Sequence, residues 1–515
     1  MSNNIFNKNV FLFIILAELL SFLGYYYHLV NFIAFFIIAI LVLILSLYRL
    51  EYGLYILLAE LLIGSFGYLF YFENHGLKIS LRLALWLIIM SVWLAGEVIK
   101  LIRTKKLELN FLRSPYLIYF LILLIFIVWG VTNGFLRNNL INNIFFDANN
   151  WLYFLLVFPV FSVWRADDNL KTVKQIFLAA IGWLSFKTII LAYIFSHNFS
   201  FFALDLYLWV RRSGVGEITQ VAPGFSRIFM QSHIFVLIGL VSLLFYLLKS
   251  MPVIARSDKA PCHCGLDPQS INLFVAPKLD SGMTKKSVAR NDKIKLFAIC
   301  LLLLILFLST ILISFSRSFW LGLAAGGLFV WLAAIFKLKI SLKKFTAFNL
   351  TALFAIALSL ALIFLIIKFP YPKPPAGLNA ANLLSERTTQ ITGEAGAASR
   401  WQLLPPLWQK IKTAPILGQG FGATVTYKSS DPRVLAANPT GEYTTYAFEW
   451  GWLDVWLKLG IFGLLAYLIL LVKIMVDGLK IGSSYSLGLA AGLVVLSAVN
   501  IFSPYMNHPL GIGYL

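Results

Sequence analysis

The feature that most constrains this chain is the recurrence of apolar runs as long as a bilayer is thick. Leu29 to Leu47 and Thr351 to Ile367 are two such runs, and a helix needs about 20 residues to cross a hydrocarbon core. Inside lipid every backbone polar group must be satisfied by the segment itself or its neighbours, which leaves helices or closed barrels. Strict apolar/polar alternation is absent, which excludes an outer-membrane barrel. Apolar residues make up 60% and charged residues 12% of the chain, whereas a soluble domain carries about 25% charged residues. The sequence therefore predicts an all-α polytopic helical bundle. Hydropathy places 12–13 spans, from a first one over 10–23 to a last over 485–504, with a third over 53–71.

The net charge of +20 suggests a nucleic-acid partner only until its distribution is read. Lys100, Arg103, Lys105, Lys106 and Arg113 fall in one connection, Lys337, Lys339, Lys343 and Lys344 in another, and Lys473 and Lys480 in a third. Alternate connections are sparse in cations, which is the positive-inside pattern. It puts the N-terminus in the cytoplasm of a multi-pass protein of the cytoplasmic membrane and excludes nucleic acid as partner. The first apolar stretch, from Val10, lacks a small-residue cleavage site and is expected to remain as a helix.

Three regions follow. Residues 1–249 form N-terminal membrane helices. Residues 250–294 form a basic cytoplasmic insertion without helical or strand period, expected to be disordered. They resemble a peptide translated from a short palindromic genomic repeat. Its Cys262, His263 and Cys264 are too few ligands to close a zinc site. Residues 295–515 form C-terminal membrane helices, with one large external loop over about 369–451. That loop opens with Pro370, Pro372, Pro374 and Pro375. It carries helical patterns at 380–391 and 397–413, the second expected to kink or split at Pro405 and Pro406. The final helix is expected to be shortened, ending outside.

Charged groups within spans are functional candidates by default. Glu18 and Glu60 suit pairing inside the bundle or placement at the interface, Lys187 sits inside the seventh span, and Glu97 can reach Lys100 one turn away. More informative is the external side, where Arg211-Arg212, Gly224-Phe-Ser-Arg227, Ser314-Phe-Ser-Arg317-Ser and Ala398-Ser-Arg400-Trp401 all fall. A single arginine there is expected to snorkel to headgroups. Several on one face suit a diphosphate, which guanidinium groups bind through paired hydrogen bonds.

Ser316-Arg317-Ser-Phe-Trp-Leu-Gly322 resembles the Ser-Arg-x-x-Trp-Leu-Gly turn of the O-antigen ligase and polymerase superfamily. Ser399-Arg400, Leu407-Trp408 and Ala414-Pro-Ile-Leu-Gly-Gln-Gly-Phe-Gly422 are similar to its Arg-led helix and glycine run in the large periplasmic loop. Trp452 to Gly463 resembles the helix that follows, and Gly224 to His233 is a looser match. The resemblance covers roughly 200–510 in order and spacing. It implies a metal-independent glycosyltransferase without cofactor, acting on a polyprenyl-diphosphate-linked glycan donor at the periplasmic face. The acceptor would be lipid- or glycan-linked, or a protein hydroxyl. Arg227, Arg317 and Arg400 would hold the diphosphate. Where the family carries a histidine before its late helix, this chain has Glu449, which would take the proton from the acceptor; the alternative is a glutamate paired with Lys458 or a loop arginine. His508 is a second proton acceptor to consider. No Asp-x-Asp or histidine cluster that would hold a metal falls on the external side. A lipid or solute transporter (flippase) and an inactive membrane scaffold are the rival readings.

Overall fold

The structure, a computed structural model, describes residues 8–74, 77–106, 110–163, 166–197, 199–222, 224–250, 281–372 and 395–515. It is an all-α polytopic bundle. Among the described residues, ten helices are long and apolar enough to cross a membrane, and His233–Leu248 and Ser484–Val499 are shorter apolar helices. In chain order the N-terminal part comprises α1 (Lys8–Tyr26), α2 (His28–Tyr48), α3 (Leu50–Ile63), α4 (Leu81–Thr104), α5 (Leu117–Leu136), α6 (Ile141–Trp151), α7 (Val157–Val163), α8 (Ala166–Ser196), α9 (Ser200–Arg212) and α10 (His233–Ser250). The rest comprises α11 (Ser281–Ile313), α12 (Arg317–Leu332), α13 (Leu342–Lys368), α14 (Ala395–Thr413), α15 (Pro432–Ala437), α16 (Gly451–Ile481), α17 (Ser484–Val499) and α18 (Pro509–Ile512). Three antiparallel hairpins, β1–β2 (Tyr71–Asn74, Leu77–Ser80), β3–β4 (Gly216–Ala222, Phe225–Met230) and β5–β6 (Val425–Lys428, Glu442–Thr445), lie in connections.

Close helix approach depends on small residues, as expected where lipid competes with apolar side chains. A Cβ at Gly322 would lie 2.5 Å from Val499, and one at Gly326 would lie 2.6 Å from Val495, so these glycines seat α12 on α17. Buried charges are paired. Lys187 Nζ donates to both carboxylate oxygens of Glu18 at 2.6 and 2.8 Å, and Lys100 reaches Glu97 at 2.6 Å.

Several expectations need correction. The span over 53–71 is a half-helix: α3 stops at Ile63 and the chain turns through Ser65, which has a positive φ of 50°. Glu60 and Arg82 pair across the turn at 2.8 Å, and Arg82 Nη1 donates to the Ser65 carbonyl at 2.6 Å. Two polar partners thus hold a break that hydropathy reads through. The basic insertion is shorter than its composition suggests, because α11 is already helical from Ser281; residues 251–280 lie outside the described residues, as does the helical pattern at 380–391. Pro405 and Pro406 do not split α14, which runs through them. Leu403, Leu407 and Ile411 are buried at helical spacing against Val425, Phe448 and Leu457, and this packing holds the helix together. Residues 500–515 do not form a final span. They turn back into the bundle through α18, with Met506 and Leu510 fully buried. Tyr467 Oη donates to the Met506 carbonyl at 2.6 Å and Tyr505 Oη to that of Gln231 at 3.0 Å.

Candidate functional site

One end of the bundle carries the β3–β4 hairpin, the α11–α12 turn, residues 395–450 and the 500–508 turn. This end is called the loop face below. Arg227 stands on β4, opposite Thr219. Its Nε donates to the Ser314 carbonyl at 2.9 Å and its guanidinium lies 4.9 Å from the Phe229 ring. Phe225 packs on Phe315 with ring centroids 5.1 Å apart. The β4 strand is thereby fixed to the turn that ends in Arg317, and the two arginines share one short stretch of backbone.

Arg317 is the first residue of α12 and is half-buried. A helix N-terminus favours anions, not a cation, so helix stability gives no reason for an arginine there. Ser316 and Ser318 flank it with hydroxyls 3.0 Å apart, and Ser503 Oγ donates to Ser318 Oγ at 3.0 Å. Next to Ser503, the Phe502 ring lies 5.1 Å from that of Trp450.

Trp450 leads to the other half of the site. Its Nε1 donates to the Arg400 carbonyl at 3.0 Å, and its ring meets Trp401 edge-on at 5.3 Å. Arg400 and Glu449 form an ion pair in which both Nε and Nη2 face the carboxylate, the Nη2 contact being 3.4 Å. Side-chain exposures of 37% and 50% leave the pair open to solvent and ligand. Of the four sequence-derived site residues, Arg227 therefore joins the turn of Arg317, and Arg400 joins Glu449. The 502–503 segment and Trp450 bridge the two pairs. Glu449 takes the loop arginine as partner and not Lys458.

His508 caps α18, its Nδ1 accepting from Leu510 N at 3.3 Å, with Phe66 edge-on at 5.7 Å. Burial, and then the charge of Arg82, push its imidazole down to about 3, which keeps it neutral and makes it a weak base.

Sequence reasoning missed what holds this face in place. Gly460 lies inside α16 with φ of 74°, so the helix is broken there. The glycine run enters the break: Gln419 N donates to the Leu457 carbonyl at 2.6 Å, Gly420 N to that of Lys458 at 3.1 Å, and Ile461 N to that of Pro415 at 2.9 Å. Gly418, Gly420 and Gly422 all have positive φ, and a Cβ on Gly420 would lie 2.2 Å from Gly134 N on α5. The run is a plug for a broken membrane helix. Its backbone donors satisfy carbonyls that lipid would leave bare.

Beside the plug, Lys458 Nζ binds Asp147 at 2.8 Å and Asp454 at 2.7 Å, all three being buried. Asp147 also accepts from Gly422 N at 2.7 Å, and Asp454 is hydrogen-bonded by Asn507. The signal was present in sequence as ionisable residues within apolar stretches, with Asp454 and Lys458 four apart on one helix face. Tyr446 stands close by. Burial first, then the Asp147 charge, raise its phenol, with Tyr68 contributing in the same direction.

Residues 302–468 match the family model described as O-antigen ligase. That stretch contains Arg317, Arg400, Glu449, the glycine run and the α16 break; Arg227 and Asp147 precede it. No curated protein matches, and no solved structure does.

Proposed function

We propose that this multi-pass membrane protein, whose residues 302–468 match the O-antigen ligase family model, transfers or polymerises a polyprenyl-diphosphate-linked glycan at the outer face of the cytoplasmic membrane. The observation that carries this reading is the gathering of Arg227, Arg317, Arg400 and Glu449 around one loop face. Guanidinium groups at a helix start suit a diphosphate twice over, through paired donors and through the helix dipole. As the glycosidic bond breaks, charge grows on the leaving diphosphate, and fixed cations favour that state over the ground state. Glu449 takes the proton of the acceptor hydroxyl as the new glycosidic bond forms. These steps rest on the chain's own side chains.

The α16 break also bears on the transporter alternative. Broken helices in transporters expose backbone and half-helix ends to an ion or solute. Here the glycine run satisfies the freed carbonyls, and the two carboxylates hold a lysine ammonium. That occupancy favours transfer over transport.

Deleting the gene and profiling lipid-linked and surface glycans tests the reading: accumulated donor with loss of surface polymer is expected, and unchanged profiles would refute it. Glu449→Gln keeps a hydrogen-bonding partner for Arg400 but removes the proton acceptor. Transfer in membranes of matched protein abundance is expected to fall by about 10². A wild-type rate would take Glu449 out of the reaction and leave it as the arginine's structural partner.

A further inference from the structure

The loop face carries a second group of cations that neither the diphosphate clamp nor the buried ion pairs use. Lys78 on β2 and Arg211 and Arg212 at the end of α9 are all exposed. Aromatic rings, rather than carboxylates, hold them. Lys78 Nζ lies 3.9 Å from the centroid of Tyr71 and 5.1 Å from that of Tyr68. Arg212 lies over Tyr25 at 5.6 Å, and Arg211 lies over Tyr207 at 6.0 Å while donating to its hydroxyl at 2.8 Å.

Tyr71 ties two of the three together. Its phenol is raised chiefly by burial, then by Glu73, and is lowered by the charge of Arg212, so Arg212 and Lys78 act on the same ring. Glu73 faces Lys78 across the hairpin and Asp205 hydrogen-bonds Tyr26. Among the described ion pairs, neither carboxylate binds one of these cations. A cation–π contact orients a cation without neutralising it, since the ring carries no net charge. Three cations so held present positive charge that none of the described ion pairs neutralises. Positive charge is also what the positive-inside rule disfavours on the translocated side, so topology gives no reason for it there.

The group is continuous with the proposed site. Arg212 ends α9 just before β3, and β3 pairs with the β4 strand that carries Arg227. We propose that Lys78, Arg211 and Arg212 form a second anion subsite, which holds a phosphate group of the acceptor while the arginine clamp holds the donor. The assignment to an acceptor rests on the transferase reading; binding of a phosphate group does not. The same phosphate chemistry could come from a sugar phosphate or from a phospholipid headgroup, and the test separates them.

The full-length protein in phosphatidylcholine nanodiscs is probed by saturation-transfer NMR with glucose 6-phosphate, and with glucose as the uncharged control. Signal from glucose 6-phosphate and none from glucose is expected. The Lys78→Gln/Arg211→Gln/Arg212→Gln variant should weaken binding by about tenfold, about 1.4 kcal/mol, while Lys412→Gln, at an exposed position on α14, should not change it. An undiminished signal in the triple variant would overturn the subsite. Discs containing phosphatidylglycerol supply the headgroup: a wild-type signal that survives supports the acceptor, and complete loss assigns the cations to lipid and overturns the acceptor role. In the transfer assay the triple variant should raise KM for a phosphorylated acceptor and leave the donor KM unchanged. If wild-type protein bound glucose 6-phosphate through these residues yet transferred no glycan, the transferase reading would fail and the subsite would stand.

Discussion

Replacing Arg317 with alanine is expected to abolish detectable glycan transfer at unchanged protein abundance and membrane insertion. Arg317 opens α12, where the helix dipole disfavours a cation, so its removal should cost the fold nothing through that term. What is lost is the fork of donors beside the β4 strand and Arg227. A preorganised charge-assisted contact to a departing group contributes about 3–4 kcal/mol, roughly 10²–10³ in rate. Arg317→Lys keeps a charge but not the paired geometry and should recover only part of the rate. Snorkelling to headgroups predicts instead that lysine and glutamine are both tolerated. A transfer assay in membranes of matched expression separates the two, and near-normal activity of Arg317→Gln would remove this residue from the site.

Lys458→Met should have the largest effect on stability. The substitution leaves the Asp147 and Asp454 carboxylates buried without their shared ammonium. Breaking a buried ion pair from one side costs about 3–5 kcal/mol. Little folded protein should survive detergent extraction, or its thermal unfolding should shift far downward. Neutralising the whole cluster, as Asp147→Asn/Asp454→Asn/Lys458→Met, should recover most of the loss, because amides can still meet Gly422 N and Asn507. Lys412→Met, at an exposed position, serves as control. If Lys458→Met unfolded no earlier than that control, the cluster would have no part in holding the α16 break.

Sequence exposed some of this and hid the rest for physical reasons. The spans were legible because lipid enforces a minimum apolar length, and counting crossings put Arg227, Arg317 and Arg400 at the same end of the bundle, where contacts through Ser314, the 502–503 segment and Trp450 link them. Pairing inside the bundle was also readable for Glu18 and Glu60, since a lone charge there is too costly; their partners, Lys187 and Arg82, come from chain positions that periodicity does not link. Hydropathy reports length and not continuity, so α3 read as a full span although it ends at Ile63. Likewise the glycine run shows in sequence only as a motif of the large loop, while its donors are spent on the carbonyls of Leu457 and Lys458. The Arg400–Glu449 pair spans forty-nine residues and is set by how α14 lies along α16, which no local pattern encodes.

The Lys458 cluster draws on both halves of the chain. Lys458 and Asp454 belong to the stretch matched as an O-antigen ligase domain, but Asp147 is on α6, far upstream of it. Cutting the chain ahead of residue 302, or grafting that stretch onto the N-terminal helices of a relative, would separate the ammonium from one of its two counter-charges. The domain is thus not a transplantable module. A working chimera would have to carry residue 147 with it, and in descent these two positions should change together or not at all.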